Sequence, residues 1–344
     1  MTTAFQSTAM ARECLEAPVR VARQLEANAQ FVDRLRHALA ADAVRTLLFC
    51  ARGSSDNAAL FAQYVAAPRL PLLAASLPPS LGSLYGTSAD LGGTLFVGIS
   101  QSGRSPDLLA CMVAATRAGA RTLAAVNGLP APLADLADMV MPLHAGRETS
   151  VAATKSFICS LSAMLHLTSA WEGASDIAQV LERLPDTLDA ATGLDWSDVQ
   201  AVLSSARNLF VLGRGPGYAI AREAALKFKE TCGIHAEAIS TAEVRHGPMA
   251  LVGEGFPVLM FIQDDASCED SLTLASELVS RGARVMTAGG RVPGALHLPT
   301  LPAHPVIMPL VQIQAFYGMV NALGLARGLD PDRPPFLRKV TETY

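Results

Sequence analysis

Short unbroken apolar runs recur along the chain and alternate with longer stretches of helical periodicity. TLLFCA (46–51), TLFVGIS (94–100) and TLAAVN (122–127) occupy the first half, and NLFVLG (208–213), VLMFIQ (258–263) and RVMTAG (284–289) the second. Continuous runs of this length, each followed by an Ala- and Leu-rich segment, predict parallel strands covered by helices on both faces. An amphipathic helix is expected before about Arg45, connecting structure over 81–93 and 195–204, and a loose Pro-rich tail over 331–344.

The pattern occurs twice. RTLLFCARGSSDNAALFA (45–62) aligns without a gap on RNLFVLGRGPGYAIAREA (207–224), so Gly215 stands 162 positions after Gly53. Farther along, Gly119 and Gly282 match at an offset of 163. A register that persists over this distance marks an internal repeat. The fold class expected is α/β, with two tandem doubly wound parallel-sheet domains and a C-terminal tail. The boundaries read as 1–44 for the N-terminal helical segment, 45–190 and 191–330 for the two domains, and 331–344 for the tail.

Composition narrows the function. Of 344 residues half are hydrophobic and 17% charged, which fills two cores and excludes a disordered chain. The net charge of −4, with no run of Lys or Arg, removes the basic stripe that nucleic acid requires. No apolar stretch of about 20 residues marks a membrane helix, and the N-terminus lacks a secretory pattern. Six scattered cysteines without a Cys-x-x-Cys pair read as reduced thiols, and a cytoplasmic location is expected.

Two loops have the composition of a phosphate cradle. Gly53-Ser54-Ser55 follows the first strand and Ser100-Gln101-Ser102-Gly103-Arg104-Ser105 the next, each opening a helix. Hydroxyls and amides at the carboxyl ends of neighbouring strands converge on anions. Either loop alone reads more readily as a helix cap, and it is the two on neighbouring strands that point to phosphate. A Walker A loop and a dinucleotide fingerprint are both absent. In the second half, Glu223, Lys227 and Glu230 fall at i, i+4 and i+7 of one helical segment, AREAALKFKETCGIHAEAI (221–239). Such a stripe is usually a solvated ion-pair face. Here Glu243 and His246 follow on a Gly-Pro loop, and a carboxylate, an amine and an imidazole together suit proton transfer beside a sugar carbonyl.

These segments resemble the sugar isomerase (SIS) domain family, in particular the isomerase half of glutamine:fructose-6-phosphate amidotransferase and the stand-alone glucosamine-6-phosphate deaminases. SQSGRSPD (100–107), SVAATKSF (150–157), the stretch 223–252 and FLRKVTE (336–342) carry the resemblance. It implies flavodoxin-like SIS domains. It also implies phosphate binding by Gly53, Ser54, Ser55, Ser100, Gln101, Ser102 and Ser105, with Val151 and Ala153 beside the sugar. Glu230 would shuttle the proton, Lys227 and Glu223 would flank it, His246 would open the ring, and Lys339 would meet the open-chain sugar. Arg52, Arg104 and Ala153 depart from the family's Cys, Glu and Ser.

The reaction implied is conversion of glucosamine 6-phosphate to fructose 6-phosphate and ammonia, without metal or organic cofactor. A glutaminase domain is not expected, because the chain starts MTTAFQ with some forty residues before the first strand. A fructosamine-6-phosphate deglycase and a non-catalytic sugar-phosphate regulator are the alternatives. The partners expected are a phosphorylated amino sugar or ketose phosphate and a second copy of the chain. In that homodimer the active site is shared, with His246 supplied in trans and the tail acting as a lid.

Overall fold

The computed structural model describes residues 8–41, 44–86, 89–173 and 176–339. They form two compact units. One comprises Met1–Leu15, Thr149–Thr154 and Asp186–Leu337, the other Glu16–Glu148, Lys155–Pro185 and Arg338–Tyr344. Each is built on a five-stranded, all-parallel sheet with flanking helices, an α/β doubly wound fold.

Helix α1 (Ala9–Ala41) precedes the first sheet, as the amphipathic pattern predicts. The sheet contains β1 (Thr46–Cys50), β2 (Leu73–Ser76), β3 (Thr94–Ser100), β4 (Arg121–Val126) and β5 (Met139–Pro142), in the order β2-β1-β3-β4-β5. Around it lie α2 (Ser54–Ala66), α3 (Pro106–Arg117), α4 (Pro132–Leu136), α5 (Lys155–Glu172) and α6 (Asp176–Thr192). Phe96 of β3 and Cys50 of β1 pack with Leu108, Cys111 and Met112 of α3 and Leu133 of α4 into one core.

The other unit contains the short α7 (Val199–Leu203), which falls inside a stretch read as connection, and then β6 (Asn208–Gly213) and α8 (Pro216–Cys232). It continues through β7 (His235–Ser240), β8 (Pro257–Phe261), α9 (Cys268–Ser280), β9 (Arg284–Ala288), β10 (Leu296–Leu298) and α10 (Met308–Ala326). Its strand order, β7-β6-β8-β9-β10, repeats that of the first sheet. The repeated glycines also share a backbone conformation. Gly53 has φ 55° and ψ −131° at the N-cap of α2, and Gly215 has φ 53° and ψ −129° at the N-cap of α8. A left-handed φ at both positions explains why the Arg-Gly step is kept in both copies.

Two sequence expectations change. The six apolar runs form the three central strands of each sheet, while β2, β5, β7 and β10 went unread. These are edge strands, only partly buried, as in the exposed–buried–exposed alternation that begins β7, so no continuous apolar run announces them. The helix bearing Glu223, Lys227 and Glu230 is also shorter than 221–239 implies. It stops at Cys232 because Gly233 takes φ 61° as a left-handed cap, and the segment after it becomes β7.

Candidate active site

In the first-sheet unit, the carboxyl ends of adjacent strands β1 and β3 carry the two serine loops, at the point where the chain order in the sheet reverses. Within the second loop, Ser100 Oγ accepts the N–H of Gly103 at 2.9 Å and Ser102 Oγ accepts that of Arg104 at 3.3 Å. Each hydroxyl is fixed through its acceptor side and keeps its own proton to donate to an anion. Gly103 permits this loop on two counts. Its φ is +65°, and an added Cβ would lie 2.7 Å from Ala131 Cβ and 2.8 Å from Val126 Cγ2.

Arg52, which departs from the family pattern, has a structural use. Its Nε donates to Asp107 Oδ2 at 2.6 Å, while Asp107 Oδ1 accepts the N–H of Leu108. The Asp107 side chain is fully buried and that of Arg52 is 47% exposed. The second residue beyond β1 is thereby cross-linked to the first turn of α3. Arg104 is exposed and has no ion-pair partner among the described residues.

In the second-sheet unit, Glu223, Lys227 and Glu230 do share one face of α8, and the face is turned inward. Lys227 Nζ lies 3.3 Å from Glu223 Oε1 and 2.5 Å from Glu230 Oε2. Glu223 and Lys227 are fully buried, so the solvated-stripe alternative fails, while the Glu230 side chain is 17% exposed. Burial alone would depress the Lys227 pKa, but the charges of Glu223 and Glu230 outweigh it and raise the value above the usual lysine range. Tyr317 of α10 hydrogen-bonds Glu223 Oε1 at 3.3 Å from the core side. The result is a charged relay running from a buried tyrosine to a carboxylate at the surface. Glu230 Oε1 accepts no hydrogen bond among the described residues.

His246 belongs to the same unit but not to this cluster. It ends a 3-10 turn (Val244–His246) and is exposed, with no side-chain hydrogen bond among the described residues. Gly247, at φ 138°, redirects the chain beyond it. Val151 and Ala153 lie in the segment 149–154, which α1 fastens: Glu13 accepts the N–H of Thr149 and, at 3.1 Å, that of Ser150. Lys339, in the first-sheet unit, is ion-paired with Glu148 at 2.9 Å. The tail therefore has an anchor that its Pro-rich composition did not suggest. The last part of FLRKVTE lies outside the described residues.

Sequence reasoning missed Glu13, Asp107 as an ion-pair partner, Glu148 and Tyr317. Their partners lie 55 to 191 positions away, beyond any spacing rule. Among the described residues, no group of three or more His, Cys, Asp or Glu side chains is placed to hold a metal ion, and no helix is long and apolar enough to cross a membrane.

The SIS domain family matches residues 88–170 and 202–288, one segment in each sheet, and the chain belongs to this family. Over 311 residues it is 34% identical to the glutamine–fructose-6-phosphate aminotransferase (isomerizing) of Methanothermobacter thermautotrophicus, an alignment covering 86% of this chain and 51% of that protein. The chain thus spans about half the length of the curated relatives it matches. Among solved structures it is 41% identical to a Silicibacter pomeroyi DSS-3 protein whose description as a phosphosugar isomerase is itself provisional. That match has a TM-score of 0.90 and covers 94% of this chain and 100% of that one. The C-terminal domain of glucosamine-fructose-6-phosphate aminotransferase from Francisella tularensis matches at 25% identity and TM-score 0.88, over 97% of this chain and all of that domain.

Proposed function

We propose that the protein is a sugar-phosphate isomerase of the deaminating kind, converting glucosamine 6-phosphate to fructose 6-phosphate and ammonia. The observation that carries this reading is the buried Lys227 held between Glu223 and Glu230, with Glu230 reaching the surface. A carboxylate fixed at the edge of a buried charge cluster by its ion pair with Lys227, with one oxygen left open, is suited to taking and returning one proton. The names of the relatives support the sugar-phosphate isomerase part of this reading, since they pair fructose 6-phosphate with isomerisation.

In the proposed reaction, Ser54, Ser55, Ser100, Gln101, Ser102 and Ser105 hold the phosphate, and His246 assists ring opening. Glu230 removes the C2 proton of the open-chain amino sugar and returns one to C1, which gives a 2-imine. Lys227 keeps Glu230 oriented and offsets charge developing on the sugar oxygen, while Lys339 meets the open chain. Water then hydrolyses the imine to the ketose phosphate and ammonia. Abundant water and scarce ammonia favour that direction by mass action. Water-soluble substrate and product fit a cytoplasmic enzyme. A homodimer supplying His246 in trans agrees with its separation from the Glu230 cluster.

Exposed Arg104 and half-exposed Arg52 favour a second reading, in which the substrate carries a further anion, as the carboxylate of an amino-acid adduct would. One screen separates the two: incubation with glucosamine 6-phosphate, galactosamine 6-phosphate and fructoselysine 6-phosphate, with ammonia and free amino acid measured. Ammonia from an amino-sugar phosphate is expected, and amino acid alone would select the deglycase. The Glu230→Gln variant should still bind phosphosugar but lose deuterium exchange at the carbon beside the carbonyl, because an amide does not accept the proton. Full exchange in that variant would move the base elsewhere.

A further inference from the structure

Glu148, which no motif marks, stands immediately ahead of the segment 149–154. Its side chain is fully buried. Oε1 accepts the N–H of Ser156 at 3.1 Å, and Oε2 accepts the Ser156 hydroxyl at 2.6 Å and the Lys339 ammonium at 2.9 Å. Ser156 is the second residue of α5, so the carboxylate sits on the first turn of an 18-residue helix, where backbone amides lack partners and the dipole favours an anion. The Glu148 side chain is therefore held by the first turn of the helix independently of the lysine. Neighbouring Lys155 does not compete for it, because its Nζ donates to Glu16 Oε2 at 2.9 Å and to the carbonyl of Arg147 at 2.6 Å.

We propose that Glu148 is a positioning residue: it holds the Lys339 ammonium, and with it the end of the chain, where that lysine works. The proposal rests on the role for Lys339 given above. A charge-assisted bond to a buried carboxylate resists water better than a surface pair, so the contact can govern how often the tail is in place. The other role open to Glu148 is simply to cap α5. The two roles differ in whether its loss acts through Lys339.

The test uses the full chain and four variants: Glu148→Gln, Glu148→Asp, Lys339→Met, and the double variant Glu148→Gln/Lys339→Met. Brief trypsin treatment followed by intact mass reads release of the tail after Arg338, and kcat and KM are measured with glucosamine 6-phosphate. Glu148→Gln and Lys339→Met should each speed tail release by roughly tenfold, as expected for loss of one charged hydrogen bond. Both should lower kcat far more than they raise KM, and Glu148→Asp should recover part of the loss. The double variant should match Lys339→Met within about twofold, since both changes remove the same interaction.

Tail release at wild-type rates in Lys339→Met, a variant that leaves α5 untouched, would overturn the proposal, as would losses that multiply in the double variant. Absence of turnover with any amino-sugar phosphate would refute the proposed reaction instead, and tail release would still decide whether Glu148 is the tether.

Discussion

Lys227→Met isolates the buried charge cluster on α8. Methionine fills nearly the same space but leaves two carboxylates facing each other, one of them, Glu223, with no exposed surface. Breaking a buried ion pair by removing one partner costs about 3–5 kcal/mol. The Tyr317 hydrogen bond to Glu223 is present in both proteins and cancels in the difference, so a net loss of about 3–5 kcal/mol is expected at pH 7.

The pH dependence follows from the direction of the shift. In the wild type the Lys227 pKa is raised above its ordinary 10.5 on folding. Its contribution is then complete below pH 10.5 and lost only as the pH rises through the folded value. In the variant, buried Glu223 loses the Lys227 charge, so the penalty should shrink as acid neutralises the carboxylates left behind. Urea unfolding at pH 7 and pH 5, followed by circular dichroism, reads both effects, with the variant–wild-type gap narrower at pH 5. Removing the second charge as well, in Glu223→Gln/Lys227→Met, should return most of the lost stability. A loss below about 0.5 kcal/mol at pH 7, the usual range of a surface substitution, would show that the cluster is solvated and refute the reasoning.

Gly103→Ala should cost about 1–3 kcal/mol through a left-handed φ and contacts under 3 Å, and should weaken protection by inorganic phosphate in thermal unfolding. An unchanged melting temperature would mean that the loop rearranges freely. Arg52→Cys, which restores the family residue, leaves the buried Asp107 carboxylate unpaired. It should lower stability by about 1–2 kcal/mol in urea, the half exposure of the arginine keeping the loss below that of a fully buried pair. Mixing inactive Glu230→Gln with inactive His246→Ala under subunit exchange should restore activity if His246 acts in trans, and hybrid dimers without recovery would place it in cis.

What the sequence determined by itself is local in origin. The central strands are legible because burial on both faces demands an unbroken apolar run, as in 94–100 and 257–261. The repeat is legible because Gly53 and Gly215 serve the same backbone turn. The spacing of Glu223, Lys227 and Glu230 also fixed their common helix face, since 3.6 residues make a turn in any environment. Spacing does not say which way a face points. Only packing against α10 and Tyr317 made this one a buried relay instead of a solvated stripe. The edge strands, the Arg52–Asp107 cross-link and the seat of Lys339 on Glu148 depend on partners far apart in the chain, and such contacts exist only once the backbone has brought them together.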